Sequence, residues 1–277
     1  MSKLKSRFPL AGLLKLTGLA RSTFYYQAKT QQKPDKYAAL KQHVQRVYHE
    51  HKGLYGYRRV ASAIRSQGTL VNRKVVERLM ANMNLKSIVR PKKYRSYRGM
   101  VGKIAQNLLE RNFTAQRPNQ KWVTDVTEFK VAQQKLYLSP VMDLYNGEIV
   151  AYETASRPCY QLVGGMLNKA LERLPAEPRL VMHSDQGWHY QQLQYRHTLK
   201  AHGVKQSMSR KGNCLDNAAM ESFFGTLKSE FFYLKRFKSI EELKTGLDEY
   251  IRYYNHDRIK LKLNGLSPVD YRAQAAG

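Results

Sequence analysis

The 277-residue chain carries 48 Lys and Arg against 21 Asp and Glu, a formal net charge of +27 and a pI near 10.1. With 42% hydrophobic and 25% charged residues it has a globular rather than a disordered composition, long enough for one large domain or two to three small ones. No apolar window approaches the roughly 18 residues of a membrane span, and the basic start MSKLKSRFPLAGLL is interrupted by Lys15 before it reaches signal-peptide form. Two cysteines, Cys159 and Cys214, make no disulfide framework and fit a reducing, cytoplasmic setting.

The charge is uneven. Residues 1–115 hold 25 basic and 4 acidic side chains, and residues 116–277 hold 23 and 17. A front half that cannot neutralise itself implies a polyanionic partner. A membrane surface is disfavoured, because the basic residues do not line one face of a long amphipathic helix. Nucleic acid is the expected partner.

In chain order, Pro9 to Leu16 reads as a short helix, Thr17-Gly18-Leu19 as a turn and Ala20 to Gln27 as a second helix. With Arg21 opening the second helix, residues 1–32 form a helix-turn-helix-like segment, a pattern any helical hairpin shares. Residues 35–85 read as a second such unit, with helices over Tyr37–His51 and Tyr57–Ser66 and a third capped by Asn72 and ending near Met83. Arg58, Arg59, Arg73 and Lys74 lie off its apolar stripes and are expected to face DNA; a helical bundle with a solvated basic face is the plainer alternative. Residues 86–116 lack periodicity and interleave Lys92, Lys93, Arg95 and Arg98 with Tyr94 and Tyr97, as expected of a basic linker along a phosphate backbone.

From Lys121 the period changes to that of strands. KWVTDVTEF, KLYLSPVMDLY and EIVAYETA read as three strands, with Asn146-Gly147 as the turn between the last two. Then come a helix over Pro158–Leu174, a strand over Arg179–Asp185, a helix over Gln191–His202, a strand over Lys205–Ser209 and a helix over Asn217–Phe232. This order predicts an α/β core with a mixed sheet over residues 117–235. Helices over Ile240–Asn255 and Pro268–Ala273 make a C-terminal segment, 236–277.

Three acids stand out. Asp125 lies among apolar residues within the first strand, an awkward place for a carboxylate unless a cation meets it. Asp185 closes the strand LVMHSD and precedes Gln186-Gly187. Glu221 shares a helical face with Asn217, Gly225 and Lys228, beside a buried stripe of Met220, Phe224, Leu227 and Phe231. Taken singly, each acid has an ordinary surface or turn reading. His183 reads as an orienting or packing residue rather than a metal ligand, and Trp188 as either a stacking platform for bases or a lid on the core. His43, His49 and His51 have no CxxC partner for a zinc site.

The acids leave 59 and then 35 residues between them, in a strand, strand and helix order. That pattern resembles the DDE signature of retroviral-integrase-like transposases on a ribonuclease-H-like fold. WVTDVTEF, HSDQG, LDNAAMESFFGTLKSE and YYNHDR extend the resemblance to the OrfB transposases of two-reading-frame, copy-out–paste-in bacterial insertion sequences, over about Tyr37 to Arg272. The resemblance implies Asp125, Asp185 and Glu221 as catalytic ligands of two Mg²⁺ ions, with Mn²⁺ as a substitute. It implies 3′-end cleavage of element-end DNA and strand transfer into a target, with Lys228 and Asn217 on DNA. A homo-oligomer on DNA and a partner or fusion from an upstream frame are the expected assembly. Lys260 departs from the family's Asn-x-x-Arg-x-His pattern, which Asn255 and Arg258 otherwise match. A non-catalytic DNA-binding regulator and a ribonuclease-H-like nuclease that cuts without joining remain the competing readings.

Overall fold

The computed structural model describes residues 8–31, 35–89, 105–110, 112–174, 179–210 and 217–276. Helices α1 (Leu10–Thr17) and α2 (Arg21–Gln31) follow one another across Gly18, and no side chain of α1 is buried. Helices α3 (Ala38–Glu50), α4 (Tyr57–Ser66) and α5 (Arg73–Asn82) then enclose a core of Val44, Val47, Val60, Ala61, Ile64, Val76 and Met80, joined by Leu54 and Tyr55. Apolar residues three and four apart on each helix make this packing possible. Asn72 caps α5 as expected, its Oδ1 accepting from the Lys74 N–H at 2.9 Å.

The expected linker is shorter than its composition suggests. Ser87 Oγ donates to Leu54 O and Ile88 N to Gly53 O, so residues 86–89 belong to the helical unit. By Ala105 the chain has joined the next domain, where Leu109 is buried and Leu108 N donates to Ser207 Oγ at 2.8 Å. Lys92, Lys93, Arg95 and Arg98 lie outside the described residues.

The sheet has six strands: β1 (Lys121–Thr124), β2 (Thr127–Val131), β3 (Gln134–Asp143), β4 (Ile149–Ala155), β5 (Val181–Ser184) and β6 (Lys205–Met208). β3 pairs antiparallel with β1, β2 and β4, whereas β1–β5 and β5–β6 are parallel, so the sheet is mixed as expected. The first predicted strand is broken in two. Thr127 pairs with Leu138 and Thr124 with Val141, so β1 and β2 keep one register along β3. That register sets the unpaired Asp125 opposite Pro140, a residue with no N–H to give to a ladder. Asp125 thus stands at a strand end, not inside a strand.

Side-chain alternation sends the sheet's two faces into two cores. Val123, Phe129, Leu136, Leu138 and Met142 meet helices α8 (Ala218–Glu230) and α9 (Ile240–His256). Trp122, Val141 and Val150 meet α6 (Tyr160–Leu171) and α7 (Leu193–Ala201). The segment 236–277 is therefore no appendage: Leu243, Leu247, Tyr250 and Tyr254 of α9 close one face of the sheet. The last helix, α10 (Pro268–Ala276), is tied back by Arg272, which bonds Glu148 at 2.7 Å and Asn119 at 2.9 Å.

Candidate active site

Two parallel strands end side by side. The β1–β5 register of Lys121 with Val181, Trp122 with Met182 and Val123 with His183, continued past both ends, brings Asp125 level with Asp185. Parity puts both on the sheet face that carries Val123, which is the face α8 covers. Each carboxylate is tied once to the main chain. Asp125 Oδ1 accepts from Val126 N at 2.7 Å, and Asp185 Oδ1 from Gly187 N at 2.8 Å.

Their electrostatics are unusual for aspartates. Burial above all, with the charges of Asp185 and Glu221, pushes Asp125 up to about 8 against the Val126 hydrogen bond and Lys228. Burial also raises Asp185, against the Gly187 hydrogen bond. Both residues retain some accessible surface, but their carboxyl groups sit deep enough for desolvation to dominate. Among the described residues no Lys or Arg is ion-paired with either. The floor beneath them is Tyr190, fully buried, whose hydroxyl lies 3.3 Å from Thr124 Oγ1 and whose ionisation Asp125 and Asp185 both suppress.

Glu221, half-buried in the first turn of α8, faces this pair closely enough for its charge to act on Asp125. Lys228, two turns on, holds its Nζ 5.3 Å from the centre of the Phe129 ring. Among the described residues, no three His, Cys, Asp or Glu side chains stand close enough together to form a ready-made metal cage. The donor chemistry nevertheless fits a divalent cation. Its oxygens are hard carboxylate donors, and two of the carboxyls, Asp125 and Asp185, bind protons more tightly than free aspartate does.

Other expected site residues fall differently. Asn217 is buried and not on an exposed strip; its Nδ2 donates to Thr124 O at 3.2 Å, clasping the start of α8 to the residue before Asp125. Arg59 does not face outward either. Its guanidinium reaches Glu230 of α8 at 3.3 Å and lies 5.5 Å over the Tyr55 ring. Arg21, Arg58, Arg73 and Lys74 are exposed, Arg58 bonding the Tyr57 hydroxyl at 3.3 Å. His183 is a packing residue, buried with Nδ1 2.8 Å from Ser207 Oγ. Trp188 is 54% exposed and meets His189 edge to face.

The sequence reading missed Tyr190 and His189, and took Gly187 only as part of the break that ends the strand at Asp185. Burial lowers His189 to about 4, so it is neutral near Asp185 at physiological pH. A Cβ on Gly187 would stand 2.8 Å from His189 Nε2 and 2.9 Å from Asp185 Oδ1, so the position admits no side chain without moving the acid. The available signal was the compact spacing of HSDQGWHY, which puts a glycine two residues after an acid and a histidine two residues after that.

A mixed sheet flanked by helices on both faces, with acids at the ends of two adjacent parallel strands and on a covering helix, defines the class of integrase-type, ribonuclease-H-like catalytic cores. Comparison with known families agrees: integrase core domain models match residues 115–214 and 221–275, and an HTH-like domain model matches residues 35–93. The protein described as "Putative transposase InsK for insertion sequence element IS150" of Escherichia coli (strain K12) is 53% identical over 99% of this chain and 97% of its own length. The transposase for IS904 of Lactococcus lactis subsp. lactis (strain IL1403) is 35% identical over 84% of this chain and 92% of its own. Among solved structures, the HTLV-2 integrase catalytic core domain in complex with magnesium is similar at 15% identity, covering 57% of this chain and 98% of that one with a TM-score of 0.47. The chain belongs to the insertion-sequence transposases with an integrase core, which are polynucleotidyl transferases. Cores of this family use divalent metal ions.

Proposed function

We propose that this transposase binds the terminal inverted repeats of its element, cleaves the 3′ end and joins it to target DNA at Asp125, Asp185 and Glu221. The observation that carries the reading is the pair Asp125 and Asp185, set side by side, raised in proton affinity and without a basic ion-pair partner among the described residues. The buried acids Asp143, Glu148 and Glu230 have arginine partners, so a pair without one supports a place made for a cation.

The three carboxylates would hold two Mg²⁺ ions, or Mn²⁺ in their place. When bound, the ions supply Lewis acidity and a water deprotonated at neutral pH. The chain's own groups do the rest. Val126 N and Gly187 N each occupy one oxygen of their aspartate and so limit how its carboxylate can turn. Lys228 adds positive charge beside Asp125, suited to a scissile phosphate. Tyr190, kept protonated by burial, closes the floor. Hydrolysis of one phosphodiester releases a 3′-OH, which then displaces at a target phosphodiester; each step exchanges one P–O bond for another, so no protein nucleophile is needed. Joining two ends calls for at least a dimer on DNA, with or without an upstream-frame partner. Exposed Arg58, Arg73 and Lys74 of the HTH-like unit suit the phosphates of the repeat.

The test is cleavage and strand transfer on terminal-repeat duplexes with Mg²⁺, comparing the native chain with Glu221→Gln. Binding without chemistry in the variant is expected. Cleavage retained at the native rate would refute the assignment.

A further inference from the structure

Helix α8 has two working ends. Glu221 opens it beside the aspartate pair; Glu230 closes it nine residues later, roughly 14 Å along the axis. Glu230 is buried and receives Arg258 as a fork, Nε at 2.7 Å and Nη2 at 2.7 Å, with the Tyr250 hydroxyl at 3.0 Å. Its remaining donor comes from another domain: Arg59 of α4, at 3.3 Å. Around that contact the HTH-like unit is tied at several further points. The Tyr55 hydroxyl donates to Asp257 O at 3.3 Å and accepts from Ile259 N at 2.9 Å. His51 stacks on Tyr55 with ring centres 3.8 Å apart and meets the Tyr253 hydroxyl at 3.3 Å. Gly265 lets its backbone pass so close to Ser62 that a Cβ there would collide with Ser62 Oγ. Leu234, Tyr253 and Ile259 complete the apolar part of the seam.

The helical faces separate the roles. Arg59 and Ser62, three apart on α4, meet the catalytic domain, whereas Arg58 and Arg65, seven apart, stay exposed with Arg73, Lys74 and Arg78. Burying a carboxylate with guanidinium partners adds little net stability relative to apolar packing; its better-attested use is to select one geometry. A DNA-binding unit on a free tether needs no such seam.

We infer that Arg59 and Tyr55 form the strut of an internal ruler: they hold the HTH-like unit at one distance and angle from the carboxylate corner and so determine which phosphodiester of a bound end is cut. Arg59 is a positioning residue here, acting through Glu230 and α8. This rests on the proposed end cleavage.

The test uses the full chain on labelled element-end duplexes, natural or with one to three base pairs inserted inside the cut site, and maps cuts to the nucleotide. Each inserted pair shifts the end by roughly 3.4 Å. The native chain should make one cut that keeps its distance from the interior sequence and so moves with the insertion. Arg59→Ala and Tyr55→Phe should spread cutting over neighbouring phosphates and lower the natural cut about tenfold. Thermal melting should stay cooperative, and the salt dependence of DNA binding should match the native chain. A single native cut at native yield in both variants overturns the ruler. So does a salt slope reduced by about one in Arg59→Ala, because Arg59 would then be a phosphate contact. No cleavage by the native chain on any duplex would refute the function reading itself, a result distinct from either.

Discussion

Two sets of buried carboxylates in this transposase have opposite surroundings. Glu230 sits among Arg258, Arg59 and the Tyr250 hydroxyl, and Arg258 above all holds it below the usual glutamate range despite burial. Glu148 is held down in the same way by Arg272, with Arg173 and Asn146. Asp125 and Asp185 keep more exposed surface, yet burial of their carboxyls pushes both up, and the charges of Asp185 and Glu221 push Asp125 further in the same direction. The residue type is nearly the same; the difference is the counter-charge. Glu148 and Glu230 have their neutralising arginines built into the fold, whereas among the described residues no Lys or Arg is ion-paired with Asp125 or Asp185, which is the surrounding the proposed cation site calls for.

That contrast breaks first at the chemistry. Asp125→Asn, Asp185→Asn and Glu221→Gln should each lower end cleavage by more than about a thousandfold, above about 4 kcal/mol of barrier. Metal-free urea unfolding of Asp125→Asn should show no loss of stability, since the change removes repulsion. Glu230→Ala should do the reverse, losing about 3–5 kcal/mol in urea unfolding because Arg258 is left buried without its partner. Equal destabilisation by both changes would erase the distinction between the two sets. A smaller effect comes from the cation itself. Mg²⁺ at a hundred times its dissociation constant should stabilise the native chain by about 2.7 kcal/mol, seen as a rise in Tm, and should not stabilise Asp125→Asn.

Much of this was legible from residue order. The bounds of α4 fall where its apolar spacing put them, Tyr57–Ser66, and Asn72 caps α5 because its side chain can replace a lost helical acceptor. The alternation in WVTDVTEF correctly implied one register but hid the break at Asp125, because the break depends on Pro140 across the ladder. The three-acid pattern was readable as spacing, and the parallel pairing that makes neighbours of Asp125 and Asp185 agrees with it. Arg59 and Asn217 were misplaced for one reason. Off-stripe position on a helix tells that a side chain avoids its own core, not whether another domain covers it. Only the fold brings Glu230 to Arg59 and the Thr124 carbonyl to Asn217.

Lys260 gives the comparison its sharpest test, as a cation drawn into the fold with no acid partner among the described residues. Its Nζ donates to Gly147 O at 2.9 Å and lies 4.5 Å from the centre of the Tyr254 ring, and burial, with Arg258 and Arg59 nearby, lowers it to about 7. The unfolded chain keeps this proton up to about 10.5, the folded one only to about 7. Below pH 7 both states are protonated and the penalty of burying the charge is complete. Between pH 7 and 10.5 the unfolded state binds the extra proton, so the contribution of Lys260 to stability rises with pH, by up to about 1.4 kcal/mol per unit. The difference in unfolding free energy between the native chain and Lys260→Met should therefore grow in favour of the native chain from pH 7 to 9.5. Asp125 titrates in the same window but is common to both proteins and cancels. Parallel curves would mean that the carbonyl and the ring hold the charge as well as an acid would, and that a missing counter-ion alone does not identify a site.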